Sequence, residues 1–355
     1  MSVIHFLNVK EGDCSIIEHT SGHNSAIDVC NARKPELRGL GSLFSESSAE
    51  IESILRASSG NFNQKAYPVN PIEYMKERNI NSVFRFILTH PDMDHMDGIK
   101  DFFEVFSPNN FYDTDNNKEI SDSDFLSGGQ YRKEDWEFYK TLRDGNPQTD
   151  PKRLTLFSGD HGPYRTEDWN GNAPGDGIYV LAPTPELCDD ANESEDYNDC
   201  SYVILHVYNG CKVLFGGDSH DKTWEHLVKN HASLITNIDL FIAPHHGRKS
   251  GRNYSFLDIV NPKLTLFGNA PSQHLAYSAW NSRGLPYITN NQANCIITDF
   301  SLPNMPVYVT NESFARSRNQ YTFYSDNFDA WYLQDVNPSA RPRSLLGSIL
   351  TSDIY

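Results

Sequence analysis

Four side chains able to bind a metal lie within the six positions from His90 to His95, in Thr89-His90-Pro91-Asp92-Met93-Asp94-His95-Met96-Asp97-Gly98. They are His90, Asp92, Asp94 and His95. Imidazole and carboxylate suit divalent metals from Zn²⁺ to Mn²⁺. A loop leaving a strand can aim alternate side chains at two neighbouring points, with His90 and Asp92 at one and Asp94 and His95 at the other. On this segment alone, a solvated acidic turn is the competing reading. Gly216-Gly217-Asp218 and Ala243-Pro244-His245-His246-Gly247 narrow the choice. Each also follows an apolar run and puts an acid or a His at a strand's C-terminal end, where sites collect in layered α/β folds. A lone Gly-Gly-Asp is more often a turn than a ligand; three such segments in this order are the signal. Lys249 and Ser250, just after the His pair, are substrate-side candidates, as are Asn269 and His274 in a polar loop. His206 lies within a strand pattern and reads as packed.

These segments need strands to hold them. Residues 3–9, 14–18 and 25–29 read as an opening β meander with turns at Glu11-Gly12-Asp13 and Ser21-Gly22-His23-Asn24. Helices are expected over 49–57 and 72–78, and a strand over 82–88 runs into the His/Asp cluster. Residues 107–177, rich in Asp, Asn, Gly and Pro, are too long for an ordinary loop and read as an insertion with a helix near 136–142. The β pattern returns at 178–182, 202–208 and 212–215. A helix over 224–230 follows, then strands at 240–243, 264–267, 287–289 and 295–299. Strands, a helix and strands again, twice over, suit two sheets between helices. The expected division is a domain over 1–302 and a C-terminal extension over 303–355.

The chain has 355 residues, 38% of them hydrophobic, enough for a sizeable core. Its formal net charge of −17 argues against tight nonspecific binding to nucleic acid. Bound divalent metals would invert that potential locally. Lys152, Arg153, Arg248, Lys249, Arg252, Arg316, Arg318, Arg341 and Arg343 form the basic clusters nearest to a nucleic-acid path. The six cysteines include no CxxC pair, and the start lacks a secretory pattern, so reduced thiols and a cytoplasmic location are expected. No run approaches the roughly 20 apolar residues of a membrane span, so no direct membrane insertion is expected. Gly-x-Ser-x-Gly and Walker-type loops are absent, which argues against a serine hydrolase or an NTPase.

The order of these segments resembles that of the metallo-β-lactamase-fold hydrolases, whose first signature is H-x-[HD]-x-D-H. Within them it is most similar to the metallohydrolase domain of ComEC-type DNA-uptake proteins. Phe6-Leu7-Asn8-Val9-Lys10-Glu11-Gly12-Asp13 resembles that family's FLDVGQGD opening. Asp92 stands where most relatives carry a second His, and Pro244-His245-His246-Gly247 resembles its PHHGS segment. The resemblance covers roughly residues 2–300, without the insertion. It implies an α/β fold, a metallo-β-lactamase αββα sandwich of two mixed sheets flanked by helices. It also implies two divalent metals. His90 and Asp92 would bind the first, Asp94 and His95 the second, Asp218 would bridge them, and His245 would complete the second site. Asp28 would support the ligand loop from behind, and His246 would face substrate and contact a phosphate. Asn198-Asp199-Cys200-Ser201 stands where most relatives supply a further His, leaving the first metal with fewer protein ligands.

The implied set of three His and three Asp shifts preference from Zn²⁺ toward Mn²⁺, with Zn²⁺ still open. The expected chemistry is attack by a metal-bound hydroxide, with Asp94 as both ligand and orienter and no Ser, Cys or Thr nucleophile. The resemblance points to phosphodiesters, DNA first, so the expected partner is a nucleic acid or nucleotide substrate. The alternatives are a phosphodiesterase on small cyclic or linear nucleotides and, in another class, a latent subunit of a multi-protein, defence-type complex that docks a protein partner through the insertion and tail.

Overall fold

Short runs of apolar and β-branched residues, punctuated by Gly, Asn and Asp, form strands here rather than helices. The computed structural model describes residues 2–34, 62–126, 130–146, 151–168, 170–173 and 175–340. The helix expected over 49–57, and Arg341 and Arg343, lie outside them.

The first sheet has the order β15-β16-β14-β13-β1-β2-β3-β4-β5-β6. Its strands are β1 (Val3–Phe6), β2 (Ser15–Glu18), β3 (Asn24–Ile27), β4 (Arg85–Ile87), β5 (Asn110–Tyr112), β6 (Lys152–Leu154), β13 (Ile296–Asp299), β14 (Pro306–Val309), β15 (Tyr324–Ser325) and β16 (Ala330–Asp335). The second has the order β12-β11-β10-β9-β8-β7. Its strands are β7 (Ile178–Ala182), β8 (Val203–Tyr208), β9 (Cys211–Phe215), β10 (Leu240–Ile242), β11 (Leu264–Phe267) and β12 (Tyr287–Thr289). Both sheets are mixed. β1, β2 and β3 pair antiparallel and β3 to β6 parallel; β7, β8 and β9 pair antiparallel and β9 to β12 parallel.

Side chains alternate between two cores with the period of two that a pleated strand imposes. Ile17, Ile87, Val213 and Leu240 face the space between the sheets. Their neighbours Ile16 and Phe86 turn outward onto Met75, Phe102 and Trp136, from the helices Pro71–Glu77, Ile99–Phe106 and Lys133–Asp144. Leu214 and Phe241 turn outward on the other side onto Trp224, Leu257 and Trp280, from the helices Asp221–Asn230, Leu257–Val260 and Tyr277–Asn281. Helix, sheet, sheet, helix is the αββα sandwich expected from the sequence.

Several boundaries differ from the sequence reading. The first strand ends at Phe6, not residue 9, because the chain must turn through Gly12, where a Cβ would stand 1.8 Å from the Asp94 carbonyl oxygen. Residues 107–177 supply β5 and β6, which extend the first sheet in parallel. Past residue 303, β14, β15 and β16 extend its opposite edge. Among the described residues, no helix is long and apolar enough to cross a membrane. All six cysteines are buried and free.

His206 on β8 is fully buried against His19 and Phe300. Burial pushes its pKa down to about 4. Below about pH 6.5 the unfolded chain takes up a proton that the folded one refuses until about pH 4, so stability falls as pH drops through that window. His206→Phe is expected to flatten the fall. Urea midpoints measured from about pH 7.5 to about pH 4 test this; an unchanged slope in the variant contradicts it.

Candidate metal centre

The C-terminal ends of β1, β3, β4, β9, β10 and β11 lead into loops that meet at one edge of the sandwich. Asp28 follows β3 with φ +57°, a left-handed conformation that short polar side chains tolerate best after glycine. Its carboxylate accepts from the Thr89 backbone N–H at 2.7 Å, from Thr89 Oγ1 at 2.7 Å and from His95 Nδ1 at 2.8 Å. An ionised carboxylate only accepts, so the proton sits on His95 Nδ1 and Nε2 is the atom turned to the centre.

Asp218, after β9, stands in the middle. Its Oδ1 is 3.3 Å from His95 Nε2. Its Oδ2 is 3.8 Å from His90 Nε2 and 3.7 Å from the Nε2 of both His245 and His246. His246 Nε2 is also 3.5 Å from Asp94 Oδ2, and its Nδ1 is 3.0 Å from Asp13 Oδ1. Three overlapping groups therefore have ligand atoms within 4.8 Å of one another: His90, His95 and Asp218; Asp94, His95 and His246; and Asp13, Asp218 and His246.

The donor set fits divalent metals. The Nε2 atoms of His90, His95 and His246 and Oδ1 of Asp218 are buried without a hydrogen-bond partner, a costly state unless something else satisfies them. The charges agree. Burial opposes a charged His246, yet Asp13 and Asp218 overcome it and hold its pKa up at about 10. Burial likewise opposes a charged His95, and Asp218, Asp28 and Asp94 raise it well above the usual range. Asp218 is held far below the usual carboxylate range, against its burial, by His95, His246 and His90. Protons thus occupy positions that suit metal cations.

The sequence-derived candidates divide. His90, Asp94, His95 and Asp218 lie together in these groups, with Asp28 behind His95. His246, expected to face substrate, is fully buried among them. His245, expected as a ligand, points Nε2 at Asp218 but stands at the edge. Its Nδ1 lies 3.0 Å from Ser250 Oγ, 3.3 Å from His220 Nε2 and 3.4 Å from Arg252 Nη2. Arginine only donates, so His245 Nδ1 accepts and the proton sits on Nε2, the reverse of a metal-ready imidazole. Burial, aided by His246, Arg252 and His220 against the pull of Asp218, lowers its pKa to about 3 and keeps it neutral. Both His residues have left-handed backbones, φ +51° and +56°, a strain typical of functional turns.

Asp92 approaches His90 at 3.6 Å through Oδ2, but its Oδ1 pairs with Lys118. Burial works against its charge, and His90 and Lys118 overcome that, holding the carboxyl well below its usual range. Lys249 and His274 are exposed and joined through their backbones, Lys249 N–H donating to the His274 carbonyl at 2.7 Å. Ser250 reaches His245. Asn269 is buried and donates to Asn8 and Val9. Ser201, where a further His was sought, accepts from the Asp218 N–H at 3.2 Å.

Sequence reasoning did not nominate Asp13, His220 or Lys118 for the site. Asp13 had a signal, being the last residue of the Phe6–Asp13 segment. Lys118 had none, because it comes from the insertion. Lys118→Met is expected to tighten Mn²⁺ binding about tenfold, since it removes a like charge next to a ligand loop, worth roughly 1.4 kcal/mol. Mn²⁺ titration followed by electron paramagnetic resonance measures this; unchanged affinity counts against it.

The chain matches no protein-family model and no curated protein. Solved structures similar to it include a protein of Parabacteroides distasonis described as a candidate metal-dependent hydrolase, at 12% identity and a TM-score of 0.41 over 81% of this chain and 93% of that one. Another is CmlA, a diiron β-hydroxylase from Streptomyces venezuelae, at 10% identity and a TM-score of 0.41 over 81% of this chain and 52% of that one. A third is the metallo-β-lactamase SMB-1, at 12% identity and a TM-score of 0.32 over 68% of this chain and 76% of that one. At these values the likeness concerns layout and carries no argument about activity.

Proposed function

We propose that the chain is a metal-dependent hydrolase of phosphodiesters, with DNA as its first expected substrate and a pair of Mn²⁺ or Zn²⁺ ions as cofactor. The observation that carries this is the convergence of unpartnered, buried His90, His95, His246 and Asp218 atoms on one point, with Asp94 beside them. The choice of phosphodiesters is supported by the resemblance of residues 6–13, 90–95 and 244–247 to the ComEC-type segments. Divalent metals bound there would supply Lewis acidity and an acidified water. His90, His95 and His246 would hold them through Nε2, and Asp94 and Asp218 through carboxylate oxygens. Asp28 fixes the His95 ring through Nδ1, and Asp13 sets its charge beside His246 Nδ1 at 3.0 Å. His245, with its proton on Nε2, would donate to a substrate oxygen at the edge.

The test is hydrolysis of linear and circular DNA and of bis(p-nitrophenyl) phosphate with Mn²⁺, Mg²⁺ or Zn²⁺, beside an Asp94→Ala/His95→Ala control. Metal-dependent cleavage lost in the control is expected. Stoichiometric metal without cleavage of any phosphodiester would overturn the reading. The second reading, hydrolysis of small nucleotides, is favoured by the net charge of −17. Salt separates the two: cleavage of a strand falls steeply with ionic strength, and that of a mononucleotide-sized ester much less.

A further inference from the structure

The donors of the centre divide unevenly between two metal positions. Asp94, His95 and His246 have ligand atoms within 4.8 Å of one another. Asp218 adds Oδ1 at 3.3 Å from His95 Nε2 and Oδ2 at 3.7 Å from His246 Nε2. Two rings and two carboxylates therefore surround that position. The other has His90 and Asp92, 3.6 Å apart through Nε2 and Oδ2, and a share of Asp218, whose Oδ2 is 3.8 Å from His90 Nε2. Among the described residues, Asp92 enters none of the converging groups. Ser201 lies in the segment where a further His was sought, and its hydroxyl accepts from the Asp218 N–H; a neutral hydroxyl is a poor substitute for an imidazole ligand.

Asp92 differs in a second way. Among the described residues, it alone of the centre's carboxylates pairs with a lysine, Lys118 Nζ donating to its Oδ1. That lysine is held from behind. Its N–H donates to Asn116 Oδ1 at 3.3 Å, and its carbonyl accepts from Arg143 Nη1 at 2.6 Å. The neighbouring Asn117 N–H donates to Asn192 Oδ1 at 2.8 Å, and Asn117 Oδ1 accepts from Tyr197 Oη at 2.8 Å. Arg143 and Asn192 come from the helices Lys133–Asp144 and Pro185–Ser194. The same Tyr197 ring lies 5.1 Å from Lys118 Nζ. A freely exposed lysine loses most of such a pair to the entropy of its stem. This one has a pinned backbone and a side chain only 20% exposed, so its ammonium is delivered to Asp92 by the fold.

We propose that the two metal positions are unequal, and that Lys118 is the positioning residue that keeps the His90/Asp92 position weak by serving as the counter-ion of Asp92 until a second divalent ion displaces it. One ion is then resident among Asp94, His95, His246 and Asp218, and the second arrives only as free metal rises. The ammonium and the incoming ion compete for the same carboxylate, and the long stem lets the displaced ammonium swing aside. The proposal rests on the metal-dependent reading and names how the loading of that same site is regulated.

Mn²⁺ titration of the full chain, with free metal read by electron paramagnetic resonance, tests it. The wild-type protein is expected to bind a first equivalent about 100-fold or more tightly than a second. Lys118→Met should tighten the second step about tenfold and leave the first within about twofold. Lys118→Arg, which keeps the charge, should leave the second step weak. Asp92→Asn should abolish the second step and spare the first, and Lys118→Met should add nothing in that background. A lysine with a merely structural role would move both steps together. Two equivalents bound with one affinity in the wild-type protein, or a second step indifferent to Lys118→Met in a variant with native melting, overturns the proposal. A Lys118→Met gain that survives Asp92→Asn overturns it too. Binding is read without turnover, so two unequal steps without hydrolysis of bis(p-nitrophenyl) phosphate sink the phosphodiesterase reading alone, and a chain that binds no Mn²⁺ sinks both.

Discussion

Asp218→Ala is expected to halve the bound metal or worse and to lower turnover on the order of 10³-fold, about 4 kcal/mol of lost transition-state stabilisation. Its two oxygens lie within 3.3 to 3.8 Å of the Nε2 atoms of His90, His95, His245 and His246. No other side chain reaches all four among the described residues. Without metal the same substitution acts on charge. Asp218 is the leading group that raises His95 and, after Asp13, raises His246. A His whose folded pKa is raised contributes stability that is complete below about pH 6.5 and is lost as pH rises toward the folded value, about 10 for His246. Chelated wild-type protein should therefore lose stability from about pH 6.5 upward, and Asp218→Ala should show a shallower loss. Metal content by mass spectrometry and melting against pH in chelator read the two effects. Full metal content in the variant would remove Asp218 from the bridging role.

The legible part of the site was local in sequence. Residues 90–95, 216–218 and 244–247 each follow an apolar strand, and the structure brings all three to one edge because their parent strands run the same way. The strand periods were equally readable: 178–182, 264–267 and 287–289 match β7, β11 and β12. What sequence order could not supply was the rotation of side chains within a turn. His245 and His246 are adjacent, and only the paired left-handed backbone decides which ring enters the cluster. Lys118 meets Asp92 across a gap of 26 residues, and nothing in the spacing announces it. The outlying strands β5, β6, β14, β15 and β16, of which β6 and β15 form the edges, were also hidden, since short strands toward a sheet margin carry weak alternation and gain order from the neighbours they pair with.

Two carboxylates sit behind two imidazoles, and their substitution should not cost the same. Asp28→Ala leaves the Thr89 N–H, Thr89 Oγ1 and His95 Nδ1 without their acceptor inside a site only 1% exposed. A buried donor stranded in this way costs about 1–3 kcal/mol, and Ala also dislikes a φ of +57°. A total loss of roughly 3–5 kcal/mol is expected, with metal affinity down about 10- to 100-fold as His95 loses its orienting partner. Asp13 meets His246 at 3.0 Å, but in a geometry that leaves both atoms without a hydrogen bond. Asp13→Ala strands no hydrogen-bond donor and removes only its charge beside His246, so it should cost less than Asp28→Ala and weaken metal about tenfold. Urea unfolding in chelator reads the first difference and metal titration the second. Equal destabilisation by the two variants would mean that Asp28 matters as one charge among many; a wide gap would mean that it sets the shape of the ligand loop, since Asp28 ties Thr89, after β4, to the His95 ring.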